Sequence, residues 1–499
     1  MSINPVSLSS PEANLLLQRR LSGEHSRYGV VASDDEARKP LSSDQRRLWF
    51  LAEANGGGAE YNVDAAYRLR GPLAVDALVE ALRLVVTRHQ ALRSRIVIID
   101  REPFQVVEDP ATVVLNRYDL SDRPDPAAAA IDLARHEAGR RFDLTRVPPL
   151  RAWLARLGHD HHAFGVTVHH LAFDRESLEI FKSELSAAYA AITQGLAPKL
   201  PQLLGQFGDF AAWERRHADQ GGRASDLSYW RERVGNVPAA LQLPTDRERP
   251  NRPSHVAGEI AVRVPDDVAN RVRALAAAHR TTSFVPALAG FQALLLRYSP
   301  GTRAVAVGCP FNARTRVEFE PLIGFFVRSL PIVADLSDAR DPDFHQLVTA
   351  CREAMLGAHE HQELPLSEIV RLAGAPRDLR HNPIFQVWFD LAAGGSAGVR
   401  NWLAGLDVQP LRTGSVRTRF DLEMHLTDLG TGPMTGRLLY ATELFDAGTA
   451  EEIVQHYQHL LAEAVRDPDV RLSQIALLSD KERDEIVNQW SVGAGGVTS

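Results

Sequence analysis

Apolar positions along the chain follow two periods in turn. Ala65, Tyr67 and Leu69 recur at every second residue, the period of a half-buried strand, and Leu78, Leu82 and Val85 follow at i, i+4 and i+7, the period of a helix over 74–89 packed on one face. Residues 147–157 read as a strand that turns through Gly158-His159-Asp160-His161 into Ala163-Phe164-Gly165-Val166-Thr167-Val168, an apolar, β-branched run expected to be a buried strand. The Pro-rich, charged segment 243–250 has the composition of an exposed connector. Beyond it the alternation resumes: a strand over Gly258–Val264, a helix over Asp266–His279 with Val268, Val272 and Leu275 in register, an apolar helix over Ser283–Tyr298 and a buried strand over Arg303–Gly308. Two such stretches predict an α/β protein of two lobes, 39–225 and 226–490. The repeated string Arg141-Phe142-Asp143-Leu144 and Arg419-Phe420-Asp421-Leu422 hints that the lobes are related.

The ends read differently. Residues 1–38 hold a short amphipathic stretch with Leu15, Leu16, Leu17 and Leu21 and then a polar run, a linker or docking segment. Thr449-Ala450-Glu451-Glu452 and Ser479-Asp480-Lys481-Glu482 read as capping boxes opening terminal helices, and the Gly-rich 491–499 as a linker stub.

Composition narrows the function classes. The 499 residues, 44% hydrophobic, can bury substantial cores, and a net charge of -7 provides no basic field for a phosphate backbone. Nucleic acid is not an expected partner. Two cysteines, Cys309 and Cys351, in so long a chain fit a reducing cytoplasm better than a disulfide framework. No run of about 18 apolar residues or signal-peptide core is visible, so a soluble, cytoplasmic protein without membrane contact is expected. His159, His161 and His162 lie on a turn with no completing cysteine or carboxylate spacing, so no metal is expected.

The chemistry concentrates where the apolar strand ends, at His169-His170-Leu171-Ala172-Phe173-Asp174. Adjacent strand residues point to opposite faces, so only one histidine serves a given cleft. A histidine suits proton transfer near neutrality, and a carboxylate four residues on completes a candidate acid/base site for acyl transfer.

From Leu41 to Trp388 the chain resembles, motif after motif, the condensation domain of nonribosomal peptide synthetases. Leu41-Ser42-Ser43-Asp44-Gln45-Arg46-Arg47-Leu48-Trp49-Phe50-Leu51 is similar to the family's S-x-A-Q-x-R-x-W-x-L, and Arg88-His89-Gln90-Ala91-Leu92-Arg93 to R-H-E-x-L-R. The histidine run is similar to H-H-x-x-x-D-G-x-S, Phe207-Gly208-Asp209-Phe210-Ala211-Ala212-Trp213 to Y-x-D-Y-A-x-W, and Ile323-Gly324-Phe325-Phe326-Val327-Arg328-Ser329-Leu330-Pro331 to I-G-x-F-V-N-T-L-P. His361-Gln362-Glu363-Leu364-Pro365 and Asn382-Pro383-Ile384-Phe385-Gln386-Val387-Trp388 complete the set, and the resemblance spans roughly 39–490.

The resemblance implies two chloramphenicol-acetyltransferase-like lobes arranged as a V, with an active-site tunnel between them. It implies amide formation between donor and acceptor substrates tethered to the 4'-phosphopantetheine of peptidyl carrier domains, beside an adenylation domain, in a monomer that binds no cofactor of its own. Gly394-Gly395-Ser396 lacks the acidic and apolar flanks of a carrier's attachment serine and reads as a loop. His170 matches the family's second histidine, as a base for the attacking amine or a hydrogen-bond donor to the tetrahedral intermediate; both roles stay open. His169 takes a structural role, and Asp174 is expected to be held by an arginine, with Arg93 and Arg95 as the candidates. Arg175, Ser177, Gly324, Arg328 and Ser329 are the expected substrate or tunnel residues. Arg175 replaces the motif glycine and would strain a positive φ there; Arg328 replaces an asparagine. Both point to an acidic or modified donor or to a docking platform that has lost catalysis; a carrier-dependent O-acyltransferase, which shares the histidine motif, is a further alternative.

Overall fold

The computed structural model describes residues 38–54, 58–112, 114–219, 224–238, 240–336, 340–374, 378, 380–394, 401–414, 416–478 and 484. The segments 1–37 and 491–499, Gly395-Ser396 and the capping box at 479–482 lie outside the described residues. The chain divides into two units. The first comprises 1–223, 312–328 and 398–415, and the second 224–311, 329–397 and 416–499. A contiguous second lobe from 226 to 490 is therefore corrected: two of its segments belong to the first unit.

In the first unit β1 (Arg38–Pro40), β2 (Asn62–Arg70), β3 (Ser94–Ile99), β4 (Glu102–Val107), β5 (Leu115–Asp119), β6 (Leu150–Gly158) and β7 (His161–His169) follow in chain order. The second unit supplies β8 (Val256–Val264), β9 (Ala304–Asn312) up to Phe311, β10 (Val327–Asp335) from Ser329 and β11 (Val387–Ala393); β12 (Asp407–Pro410) belongs to the first unit, and β13 (Val416–Arg417), β14 (Leu422–Asp428) and β15 (Met434–Ala441) to the second.

The first unit's main sheet has the order β12-β2-β7-β6-β5, all antiparallel except β5 against β6. Phe164, Val166 and Val168 of β7 point to one face, where the helices Val75–Arg88 and Arg175–Thr193 bury Leu78, Leu82, Val85, Phe181 and Leu185 against them. Ala163 points to the opposite face, where Trp153 and the helix Pro126–Gly139 pack. Period-2 alternation thus becomes a strand roofed on both sides. Asp160, with φ of +52°, makes the turn between β6 and β7.

The second unit's sheet, β10-β9-β11-β14-β15-β8-β13, repeats this plan. Its β14–β15 hairpin matches β6–β7, and parallel β11 stands beside β14 as β5 stands beside β6. Leu422 pairs with Tyr440 and Leu150 with Val168; five residues beyond Ala441 and His169 come Asp446 and Asp174, N-caps of the helices Ala447–Arg466 and Arg175–Thr193. The two units are related. The shared string at 141–144 and 419–422 is not the matching position, because Leu422 opens β14 whereas Leu144 lies six residues before β6. The equivalent pair is Phe173-Asp174 and Phe445-Asp446.

The helix Ala447–Arg466 also corrects the capping box at 449–452. It starts at Asp446, leaving Thr449 in the first turn, where its hydroxyl donates to Asp246 at 2.8 Å. Among the described residues no helix is long and apolar enough to cross a membrane.

Candidate active site

The histidine run leaves the sheet at the end of β7 and enters a one-turn helix, His170–Ala172, before Asp174 caps the long helix that follows. His169 faces inward and is buried, with Tyr61 and Phe142 around its ring. Its Nδ1 accepts the Leu171 N–H at 3.1 Å, so Nε2 carries the proton. Burial, then the nearby His170 and Arg151, hold its pKa down at about 3. It is a neutral structural group.

His170 is half-buried, its N–H fixed on the Tyr61 carbonyl at 2.7 Å and its ring edge-to-face with Phe325. Nδ1 sits 2.5 Å from the Phe173 carbonyl oxygen, which only accepts. Nδ1 therefore carries the hydrogen, and in the neutral ring Nε2 has the lone pair. That tautomer suits a base acting through Nε2.

Asp174 fixes the turn through five donors. Oδ1 accepts from the Ser177 N–H at 2.8 Å, the Ser177 hydroxyl at 2.7 Å and Arg314 Nη2 at 3.0 Å; Oδ2 accepts from Arg314 Nη1 at 2.8 Å and the Phe326 N–H at 3.0 Å. Arg314 also donates to the Leu322 carbonyl and lies over the Phe326 ring, 4.2 Å from its centroid. A buried carboxylate needs such compensation.

Arg314 is the residue sequence reasoning missed. Arg93 and Arg95 are not the partners of Asp174: Arg93 donates to the Glu108 carbonyl at 2.5 Å, and Arg95 pairs with the Glu108 side chain. The motif at 88–93 instead anchors the helix 175–193. Arg88 and His89 bind Glu184 at 2.9 and 2.8 Å, and His89 Nδ1 accepts the Ile323 N–H at 3.4 Å. Burial alone would raise the Glu184 carboxyl, but His89 and Arg88 outweigh it and leave its pKa low.

Several residues expected at substrate are engaged within the protein. Ser177 is fully buried and accepts the Gly324 N–H at 3.0 Å. Gly324 packs so closely on Phe207 that an added Cβ would lie 2.1 Å from Cδ2. Arg328 is buried and donates to Glu214 at 2.8 Å. Arg175 begins the helix as an ordinary exposed first-turn residue, so the expected strain of a positive φ is absent. Ser329 is half-buried on β10, in the second unit.

The 312–328 segment that carries Arg314 is itself anchored in an aromatic cluster, with Phe319 and Phe326 against Phe210 and Phe326 edge-on to Phe207. From the other side Gln45 donates to the Leu171 carbonyl at 2.8 Å. Cys309 and Cys351 are free and buried, and burial pushes both thiols up, against a nucleophilic role. Among the described residues no group of three His, Cys, Asp or Glu side chains is placed to hold a metal.

These features agree with the comparisons. The family described as Condensation domain matches residues 35–487. A linear gramicidin synthase polypeptide from Brevibacillus parabrevis is 35% identical over 466 residues, covering 93% of this chain and 6% of that protein. The phosphinothricin tripeptide synthetase PhsC of Streptomyces viridochromogenes is 34% identical over 463 residues, 92% of this chain and 42% of that protein. This chain thus spans less than half the length of either relative. The X-domain from teicoplanin biosynthesis, solved in complex with OxyB, superposes with a TM-score of 0.81 at 31% identity, covering 91% of this chain and 99% of that one. The first condensation domain of the calcium-dependent antibiotic synthetase shares the fold, with a TM-score of 0.71 at 21% identity over 89% of this chain and all of that one. With the family matched over nearly its whole length, and the histidine turn built as described, this chain belongs to the condensation domains of nonribosomal peptide synthetases.

Proposed function

We propose that this chain is a working catalyst that joins two carrier-tethered substrates. The acceptor's amine nitrogen attacks the carbonyl carbon of the donor thioester, the C–S bond breaks, an amide forms and the donor's phosphopantetheine leaves as a thiol. An α-amino group titrates near about 8, so a base that takes the amine proton and returns it to the departing sulfur assists at neutral pH. The observation that carries this reading is the 2.5 Å contact of His170 Nδ1 with the Phe173 carbonyl, which commits Nδ1 as the donor and leaves the lone pair of the neutral ring on Nε2. The same Nε2, once protonated, donates to the oxyanion of the tetrahedral intermediate, so base and stabiliser are successive states of one atom.

The thioester is already activated, so the protein's remaining tasks are to position two arms and keep water out. Donor and acceptor carrier domains and a neighbouring adenylation domain are the partners, the chain acts as a monomer in the cytoplasm, and the pantetheine arms arrive with the carriers. Residues 1–38 serve as linker or docking segment and 491–499 as a tether. Ser329 contacts the acceptor, and exposed Arg175 bears on donor choice.

The test mixes the protein with a donor-loaded and an acceptor-loaded carrier and looks for amide product by intact mass. Product from wild type and none from His170→Ala supports the reading. Carrier binding without product from wild type would overturn it in favour of a docking platform.

A further inference from the structure

Two departures from the family pattern meet in one buried network of the first unit. Asp44 stands where the first motif has alanine, and Arg328 where the motif at 323–331 has asparagine; both side chains are buried. Glu214, on the helix Phe207–Asp219, ties Arg328 to Ser43. Its Oε1 accepts from Arg328 Nη2 at 2.8 Å, and its Oε2 accepts from the N–H and hydroxyl of Ser43, the neighbour of Asp44, at 2.7 and 2.9 Å. The charges that act on the buried Asp44 are those of Arg328, of Arg47 on its own helix, and of Glu214. Burial raises the Asp44 carboxyl, and the two guanidiniums oppose that rise. Two carboxylates brought together out of water need both cations.

We propose that Asp44 and Arg328 are a charge-matched pair of positioning residues, set about the Glu214 link between Ser43 and Arg328, that seats both supports of the histidine turn. One support is the helix Ser43–Ala54, whose Gln45 holds the Leu171 carbonyl. The other is the segment ending at Arg328, whose Phe326 N–H holds Asp174. Arg328 is thus engaged by Glu214 and does not select an acidic donor. Neither charge fits alone: an Arg328 without Asp44 leaves excess positive charge, and an Asp44 without Arg328 leaves two carboxylates facing Arg47. The rate consequence rests on the catalytic reading of His170; the coupling itself does not.

The test uses the full chain with Asp44→Ala, Arg328→Asn and the double variant. Three readouts are taken: Tm, the rate at which diethyl pyrocarbonate modifies His170 by peptide mass spectrometry, and single-turnover amide formation. Arg328→Asn is expected to lower Tm, because it leaves a surplus carboxylate buried. It should also change His170 labelling at least twofold and slow turnover about tenfold, as a displaced reacting group does. Adding Asp44→Ala should bring all three back to within twofold, or a few degrees, of wild type. Losses in the double variant equal to the sum of the single losses would overturn the proposal. So would an Arg328→Asn variant unchanged in Tm and labelling but with a raised KM for acidic donors only, which would place Arg328 in substrate recognition. Tm and labelling need no substrate, so a wild type that makes no product would count against catalysis and leave the coupling to be decided separately.

Discussion

Arg314 and Asp174, 140 residues apart in sequence, meet through two parallel hydrogen bonds of 2.8 and 3.0 Å, both side chains almost wholly buried. The same carboxylate caps the helix that follows the histidine turn. Removing one partner of such a pair leaves the other's charge buried and uncompensated. Arg314→Leu should therefore cost about 3–5 kcal/mol in urea unfolding, with the loss of activity that a displaced His170 entails. Arg314→Lys keeps the charge without the two-pronged geometry, and an intermediate loss is expected.

Gly324 has no room for a side chain. With a Cβ destined to lie 2.1 Å from a Phe207 ring that is itself locked edge-on to Phe326, Gly324→Ala should destabilise by about 1–3 kcal/mol. Gly324→Ala with Phe207→Leu should recover part of that loss, and thermal unfolding of the single and double variants measures it.

His169 sets a stability slope on the acid side. In the folded protein it stays neutral down to about 3, whereas in the unfolded chain it takes up a proton near 6.5. Its contribution is therefore complete above pH 6.5 and is lost progressively as the pH falls toward 3. His169→Gln keeps an acceptor for the Leu171 N–H and does not titrate. Its Tm should fall less than that of wild type between pH 7.5 and pH 5.

In the second unit His425 and Glu423 behave in opposite senses. Burial raises Glu423, but hydrogen bonds and charge from His425 and Arg419 bring it down to about 2; burial opposes the charge on His425, yet Asp390 and Glu423 raise it overall. The Glu423 contribution is present above about 4.5 and fades as the pH falls through 2. That of His425 is present below 6.5 and fades as the pH rises through its elevated folded value. Their joint effect is greatest between these limits. His425→Gln should flatten the decline in Tm between pH 5.5 and pH 9.

How much the sequence disclosed depended on range. Strand and helix periods placed β2, β6, β7 and β8 and the buried faces of their helices, because those patterns repeat within a dozen residues. The histidine turn was legible because its strand, its two histidines and its capping carboxylate are contiguous. Arg314 was not, since a partner 140 residues away leaves no local spacing, whereas Arg93 and Arg95 lie at and just past the end of the motif at 88–93. The available signal was an arginine just past the apolar run 304–311, before a motif rich in phenylalanine. Ser177, Gly324 and Arg328 were expected at substrate because motifs mark sites; the contacts that hold them, to Gly324, Phe207 and Glu214, are long-range and leave no local spacing. The internal repeat was misread through a four-residue string, when the equivalent feature was the Phe-Asp pair at two strand-to-helix junctions.

On the proposed mechanism an anchored turn presents His170 Nε2 as the group that handles the amine proton. The most direct measurement of that role is the single-turnover rate of amide formation between loaded carriers for wild type and His170→Ala, with unfolding curves of both showing equal stability. A rate at least about 100-fold lower in the variant is predicted; a variant that is folded and within twofold of wild type would contradict the account.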